Sequence, residues 1–369
     1  MKTDTLIARY REIYDSCLAK TERQRFIVFE PLDQSGWGNR LRGLTLCLLF
    51  ALATRRILVV HDFLIEEHFL APEGCSWKFK KWADSLASMR IEPDVMDLHL
   101  SPSDWNQEEW LLYASESMDS LYPSKIVFLR QSVGFFDQLI ANPHYGELWE
   151  SLGLNVHSKI EWLGSLINAF LNRPAHRLRR EYDSFIRKIP VDANRPLAVI
   201  QFRTFYDVGA PQKNLVDSFT EGVRRELAKI KSRDIQIFVA TDDFAVTKEI
   251  GRRLSDDVGS VIVSPTKVVH TGSLHNGWEL VLERMLAKIF NRKFSFFDFW
   301  AWLPEYWRPR PHTAVLAEWM FYGKASMVFS TFTSYVVYAM ARTGNNAELC
   351  RFDPETRLIE TLNDEKYYF

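Results

Sequence analysis

Ile27-Val28-Phe29, then Gly36-Trp37-Gly38-Asn39-Arg40, then an apolar run to Thr54, then Ile57-Leu58-Val59-Val60: this succession decides how the chain folds. Short runs of β-branched and aromatic residues predict buried strands. The run behind the glycines is apolar at Leu41, Leu44, Leu48 and Leu52, the spacing of one helical face, and predicts a helix over 39–54. Strand, glycine turn, helix and strand make one crossover of a parallel sheet. Glycines at such a turn let the backbone bend tightly and approach a ligand. The helix start then offers N–H groups and a positive dipole end to a phosphate or sugar oxygen. Asn39 adds an amide that both donates and accepts. A Gly-x-Gly pair is also an ordinary turn, so this reading needs a second element further along.

Outward from that crossover, the first strand spans 25–30 and the second ends at His61-Asp62. The stretch 71–143 is irregular and rich in tryptophan, proline and serine, with one clear strand at 125–129. A helical region follows over 158–189, and Pro190–Pro196, with two prolines and an Asp-Ala-Asn-Arg turn, reads as a linker. The alternation then restarts, with strands at 197–202, 236–240, 260–263 and 326–329. Helices are predicted at 215–231, 244–254, 314–322 and 333–341. The expected class is α/β, with two Rossmann-like, doubly wound domains over 1–189 and 190–369 facing each other across a cleft. The second carries an aromatic insertion at about 266–310 and a C-terminal tail.

The 369 residues are enough for two cores, and 47% of them are hydrophobic. A net charge of −1 gives no basis for a nucleic-acid partner. The basic runs Arg177-Leu178-Arg179-Arg180 and Arg224-Arg225 read as solvated helix faces. Cys17, Cys47, Cys75 and Cys350 are scattered without zinc spacing and suit a reducing compartment. The N-terminal residues lead into a polar amphipathic helix, and the longest apolar run, Leu44 to Ala53, is about half of a membrane span. A cytoplasmic protein without a transmembrane segment is expected.

Ligands of open parallel sheets bind beyond the carboxyl ends of the strands. In the second half those ends carry Arg203, then Asp242 and Asp243, then Ser330-Thr331-Phe332-Thr333-Ser334. Arginine grips a diphosphate through two parallel N–H bonds. Serine and threonine hydroxyls, with the N–H groups of the following helix, suit the same phosphates. A carboxylate suits a guanine edge or a ribose diol. Asp243, Ser330 and Thr333 also fit the simpler role of helix caps. No Asp-x-Asp follows a strand and the histidines lie apart, so no metal is expected. The segment 293–307, Lys-Phe-Ser-Phe-Phe-Asp-Phe-Trp-Ala-Trp-Leu-Pro-Glu-Tyr-Trp, suits a sugar-stacking wall built on Trp300, Trp302 and Trp307. A core segment, a partner surface or a peripheral membrane contact fits it as well.

These motifs, in this order, resemble the GDP-fucose-dependent fucosyltransferases of GT-B-type fold, notably the plant xyloglucan and the α1,6-type enzymes, including bacterial nodulation ones. Gly36–Arg40 is similar to the plant Gly-x-Gly-Asn-Arg, Ala71–Trp77 to its proline-to-tryptophan stretch, and Val199–Phe205 to its Gln-x-Arg element. Ala317-Glu318 and Ser330-Thr331-Phe332 match the plant final motif, Ala240-Thr241-Asp242-Asp243 the α1,6-type Ala-Thr-Asp-Asp, and 364–369 the α1,6-type ending. The resemblance implies that Arg203 binds the donor diphosphate. It implies that Asp242 or Asp243 reads the nucleoside, and that Gly38, Asn39, Arg40, Gln201, Ser330, Thr331, Phe332 and Thr333 line the donor site.

It further implies inverting, metal-independent transfer of L-fucose from GDP-β-L-fucose, with no cofactor, to a glycan or glycoconjugate hydroxyl. Three departures stand out. Gln201 replaces the α1,6-type histidine, no carboxylate matches the α1,6-type base (Pro211 falls near its place and Asp207 is the nearest acid), and the 266–310 segment is long. Asp207, Asp62 and Glu318 are the candidate bases. The alternatives are a transferase of another nucleotide sugar and a non-catalytic sugar- or partner-binding protein on the same scaffold.

Overall fold

A computed structural model of the chain describes residues 2–31, 36–98, 107–131, 136–154, 159–203, 212–230, 234–241, 243–256, 258–266, 311–331, 336–337, 339, 348–353 and 356–361. The insertion beyond 266, with Trp300, Trp302 and Trp307, lies outside these residues. So do most of the helix expected at 333–341 and the last eight residues. Contacts divide the chain into two units that part between Ala175 and His176. No helix among the described residues is long and apolar enough to cross a membrane.

The first unit is built on β1 (Phe26–Phe29), β2 (Ile57–Val60), β3 (Asp94–Leu98) and β4 (Ile126–Gln131), parallel in the order β2-β1-β4-β3. Every residue of β1 and β2 is buried, which is why both read as unbroken apolar runs. Its helices are α1 (Lys2–Ala19), α2 (Trp37–Thr54), α3 (Phe63–His68), α4 (Phe79–Ser88), α5 (Gln107–Ser115), α6 (Met118–Leu121), α7 (Phe136–Ala141), α8 (Gly146–Ser151) and α9 (Lys159–Phe170). Helix α1 buries Leu6, Tyr10, Ile13, Tyr14 and Cys17, one stripe at helical spacing, and the Tyr10 hydroxyl accepts from Leu58 N at 3.1 Å.

Helix α2 begins two residues before the expected start. Gly36 is its N-cap at φ −67°, and Gly38 lies inside the first turn. Neither glycine is left-handed; among the described glycines only Gly74 and Gly153 have positive φ. The tight-turn argument for this pair is therefore corrected. What Gly36 contributes is a cap with no side chain, so nothing of its own covers the first N–H groups of α2.

The helical region expected over 158–189 is two helices, α9 and α10 (His176–Lys188). Between them Pro174 pairs with Phe69 in an antiparallel bridge, and Leu70 N donates to Arg173 O and Ala175 N to His68 O, each at 2.8 Å. Extended backbone held this way cannot continue a helix. Beyond the break α10 buries Leu178 and Phe185, with the Phe185 ring 5.6 Å from Phe321 and 6.0 Å from Phe238. Those partners draw α10 into the second unit, so the border falls at 175/176 rather than 189/190. The expected linker belongs to that unit too: Asp192 N donates to Gln236 Oε1 and Gln236 Nε2 to Asp192 O, both at 2.7 Å.

The second unit is a six-stranded sheet in the order β10-β9-β8-β5-β6-β7. Its strands are β5 (Leu197–Phe202), β6 (Gln236–Thr241), β7 (Ser260–Val263), β8 (Met327–Ser330), β9 (Glu348–Phe352) and β10 (Ile359–Thr361). All pairings are parallel except that of β10 with β9, an antiparallel edge that the sequence reading lacked. Helices α11 (Gln212–Lys229), α12 (Phe244–Leu254) and α13 (Pro311–Tyr322) complete it. Ala198, Ile200 and Phe202 alternate along β5 into a core with Phe219 and Val223 of α11 and Ile250 of α12. On β6, Phe238 packs its ring 4.8 Å from Phe321 of α13. One face of the sheet thus carries α11 and α12, and α10 and α13 gather around Phe238.

Candidate functional site

From β5 the chain lays β6 and then β7 to one side and returns to place β8 on the other flank of β5. Strand order reverses between β5 and β8, and open α/β sheets take ligands beyond the carboxyl ends at such a reversal. Arg203 follows β5, Ser330 ends β8 and Thr331 follows it.

Gln201 lies opposite Ser330 in register. Ser330 Oγ donates to Gln201 Oε1 at 3.1 Å, Thr331 N donates to Gln201 O at 3.3 Å, and Arg203 N donates to Thr331 Oγ1 at 2.9 Å. Ser330 and Thr331 are buried, whereas Arg203 is exposed. The described bonds of both hydroxyls fasten β8 to β5. That lock fixes the backbone from which the Arg203 side chain projects.

At the end of β6, Asp243 Oδ1 accepts from Ala245 N at 2.8 Å and Val246 N at 3.3 Å, capping α12. Thr241 Oγ1 accepts from Asp243 N at 2.9 Å and lies 2.8 Å from Thr247 Oγ1. Of the two roles open to Asp243, the structure displays the cap. Asp207, Asp242, Phe332 and Thr333 lie outside the described residues.

In the first unit, Trp37, Gly38 and Asn39 form the first turn of α2, and the first amide bonded back is Arg40 N, to Gly36 O at 3.0 Å. Gly38 is buried and Asn39 half-buried at this positive helix end. Arg40, read from sequence as a donor ligand, is 2% exposed, with Nη1 2.5 Å from Asp62 Oδ2. The other Asp62 oxygen accepts from Leu64 N at 3.0 Å and caps α3. Asp62, a candidate base, is therefore spent on a buried ion pair and a cap. The cap was legible, as an aspartate directly before a helical run; the pairing with Arg40 was not.

Glu318, another candidate base, sits on α13 at 2% exposure. Its Oε1 accepts from the Tyr322 hydroxyl at 2.6 Å and its Oε2 from Ser264 Oγ at 2.5 Å. Burial pushes its pKa up to about 7, against the pull of those hydrogen bonds. The sequence reading missed a charged row at the strand ends of the first unit, Glu30, His61 and Arg130. Among the described residues no three His, Cys, Asp or Glu side chains converge as metal ligands do.

Two parallel-rich, helix-covered units with a site at a strand-order reversal define a GT-B-type α/β architecture. No protein-family model matches the chain. It is 24% identical over 261 residues to an α-(1,6)-fucosyltransferase of Caenorhabditis elegans, covering 66% of this chain and 41% of that protein. In structure it matches a variant of Arabidopsis thaliana FUT1 in complex with GDP at a TM-score of 0.64 and 14% identity, covering 98% of this chain and 81% of that one. It also matches the NodZ α-1,6-fucosyltransferase soaked with GDP-fucose at a TM-score of 0.49 and 10% identity, covering 92% and 99%. The fold is shared with that FUT1 structure.

Proposed function

We propose that the chain moves L-fucose from GDP-β-L-fucose to a glycan or glycoconjugate hydroxyl, with inversion and without a divalent metal. The observation that carries this reading is the strand-order reversal between β5 and β8, with an exposed Arg203 on a backbone locked by Thr331. An arginine there suits a diphosphate, whose charge grows as the bond to the sugar breaks and whose two oxygens match the guanidinium fork. The similarity to an α-(1,6)-fucosyltransferase supports the choice of sugar nucleotide. The reading assigns Asp242 to the nucleoside, since Asp243 is spent on its helix cap. It assigns the tryptophans of the 293–307 segment to the acceptor. Calorimetric titration with GDP, GDP-fucose and UDP, with and without EDTA, tests it. GDP and GDP-fucose are expected to bind and UDP to bind more weakly, independent of EDTA; equal binding of UDP or loss with EDTA overturns it.

A further inference from the structure

In a parallel sheet all amino ends lie along one edge, and in the first unit that edge is basic. β1, β2 and β4 are each entered through a cation, Arg25, Arg56 and Lys125, with Arg55 one residue earlier. The ends are tied together: Ile57 N donates to Arg25 O at 2.8 Å and Phe26 N to Lys125 O at 2.7 Å. Beside them α1 runs out, and a single 3-10 turn over Thr21–Arg23 leads toward β1. A hollow of about 400 Å³ opens here, lined by Ile13, Ser16, Cys17, Arg23, Arg25 and Arg55. Its size is that of a small-molecule site. The 18 residues of α2, about 27 Å of helix, separate it from the Gly36 cap.

Two of the cations hold the fold. Arg25 gives Nη1 to Thr54 O at 3.3 Å, at the carboxyl end of α2, and Nη2 to Asp119 Oδ1 at 2.6 Å. The buried Arg56 donates to Ser124 O at 2.6 Å and to Tyr122 O at 2.8 Å. Arg23 and Arg55 differ. The exposed Arg23 guanidinium has no hydrogen bond or ion pair among the described residues, although its backbone is fixed. Arg23 N donates to Lys20 O at 3.0 Å, and Cys17 Sγ to Arg23 O at 3.6 Å. The Arg55 side chain meets Glu12 at 3.6 Å, with both more than half exposed. Arg55 also ends α2 in the left-handed region, at φ 54° and ψ 50°, where glycine is the unstrained choice. The carboxylates paired here are each shared by two guanidiniums. Glu12 serves Arg9 at 2.7 Å and Arg55, and Asp119 serves Arg25 and, at 3.5 Å, Arg56. Positive charge is therefore in excess around the hollow. Burial raises the Cys17 pKa, so its thiol stays neutral, and the half-buried Ser16 adds a hydroxyl donor.

We propose that this hollow binds a phosphate group, free or as the ester of a small organic molecule, through Arg23, Arg55 and Ser16. Guanidinium forks match phosphate oxygens and make charge-assisted bonds to them. Ile13 and the arginine stems line the rest, which favours an ester over the bare ion. Every residue of the site belongs to the first unit.

Calorimetric titration of the full chain with glucose 1-phosphate, inorganic phosphate and glucose tests the site. The proteins are the wild type, Arg203→Ala, and Arg23→Ala and Arg55→Gly each made in the Arg203→Ala background, which removes the phosphate grip proposed for the second unit. Arg203→Ala is expected to bind both phosphates at about 1 mM or tighter and glucose not at all. Adding Arg23→Ala or Arg55→Gly should weaken that binding about tenfold or more. Arg55→Gly relieves the left-handed helix end, so the melting temperature should stay level or rise while binding falls. A merely structural arginine would lower the melting temperature and leave binding as it was. Tighter binding of glucose 1-phosphate assigns an ester to the site, and equal binding assigns the free ion. No phosphate binding by Arg203→Ala, or binding unchanged on adding either first-unit substitution, overturns the proposal.

Discussion

The backbone N–H of Arg203 donates to Thr331 Oγ1 at 2.9 Å, joining the two strand ends that flank the strand-order reversal across 128 positions of sequence. Thr331→Val keeps the shape of the side chain and removes the acceptor. An amide left without its partner at a partly buried strand end costs about 1–3 kcal/mol. Urea unfolding of Thr331→Val should fall by that amount, and GDP binding should weaken with it because Arg203 loses its anchor. Thr331→Ser retains the hydroxyl and should restore both. A Val variant with wild-type stability and wild-type GDP affinity contradicts the lock.

Arg203 itself carries the donor reading. Replacing it by alanine removes a forked, charge-assisted contact that strengthens as GDP departs, and losses of this kind cost about 3–4 kcal/mol in the transition state. Initial-rate kinetics should therefore show a drop on the order of a hundredfold or more. Arg203→Lys should recover little, since a point charge does not reproduce the fork. A folded alanine variant within about threefold of the wild-type rate, less than 1 kcal/mol, contradicts the assignment.

Much of this architecture was legible in the sequence, and the failures have physical causes. β2, β5, β7 and α12 were placed to the residue, because strands buried on both faces read as apolar runs and an amphipathic helix with an aspartate cap is well signposted. The break between α9 and α10 was missed because apolar periodicity resumes on both sides of Asn172-Arg173-Pro174; the bridge from Pro174 to Phe69 is tertiary and leaves no local mark. β9 and β10 are short edge strands with charged residues, Glu348 and Glu360, among them. Among site residues, strand ends could be read, but the partners of their side chains could not. Arg40 was taken for a ligand and is a buried ion-pair partner; Glu30 and His61 were seen as strand termini and not as a pair.

Arg40 and Asp62 form the kind of pair whose halves are costly to separate. Both side chains are 2% exposed, so Asp62→Ala leaves a guanidinium buried without its counter-charge, at about 3–5 kcal/mol. The same change uncaps α3, for about 1 kcal/mol more. Replacing both residues together, Arg40→Met with Asp62→Leu, should recover most of the ion-pair loss but not the cap. A double-mutant cycle by urea unfolding measures the difference. Additive losses contradict the pairing.

Glu318 gives the fold a signature in pH. Its carboxyl is pushed up to about 7 by burial, from an ordinary value of 4.5, so the folded chain prefers the protonated form more than the unfolded chain does. That preference stabilises the fold fully below pH 4.5 and is lost as the pH rises toward 7, a change of about 3 kcal/mol at most. Glu30 works in the opposite sense, because a carboxyl held down at about 2 stabilises the fold above its unfolded pKa and loses that contribution in acid. The wild-type curve alone therefore mixes the two. Glu318→Gln isolates one of them: the amide keeps bonds to the Ser264 and Tyr322 hydroxyls, one of which turns to accept, and it has no proton to lose. Subtracting the variant's stability from the wild type's, by urea unfolding at intervals from pH 4 to 8, should leave a difference that declines steadily from about pH 4.5 to 7 and is level beyond. A flat difference means that Glu318 ionises in the folded chain as it does in the unfolded one, and that its buried bonds to Ser264 and Tyr322 hold the charged form.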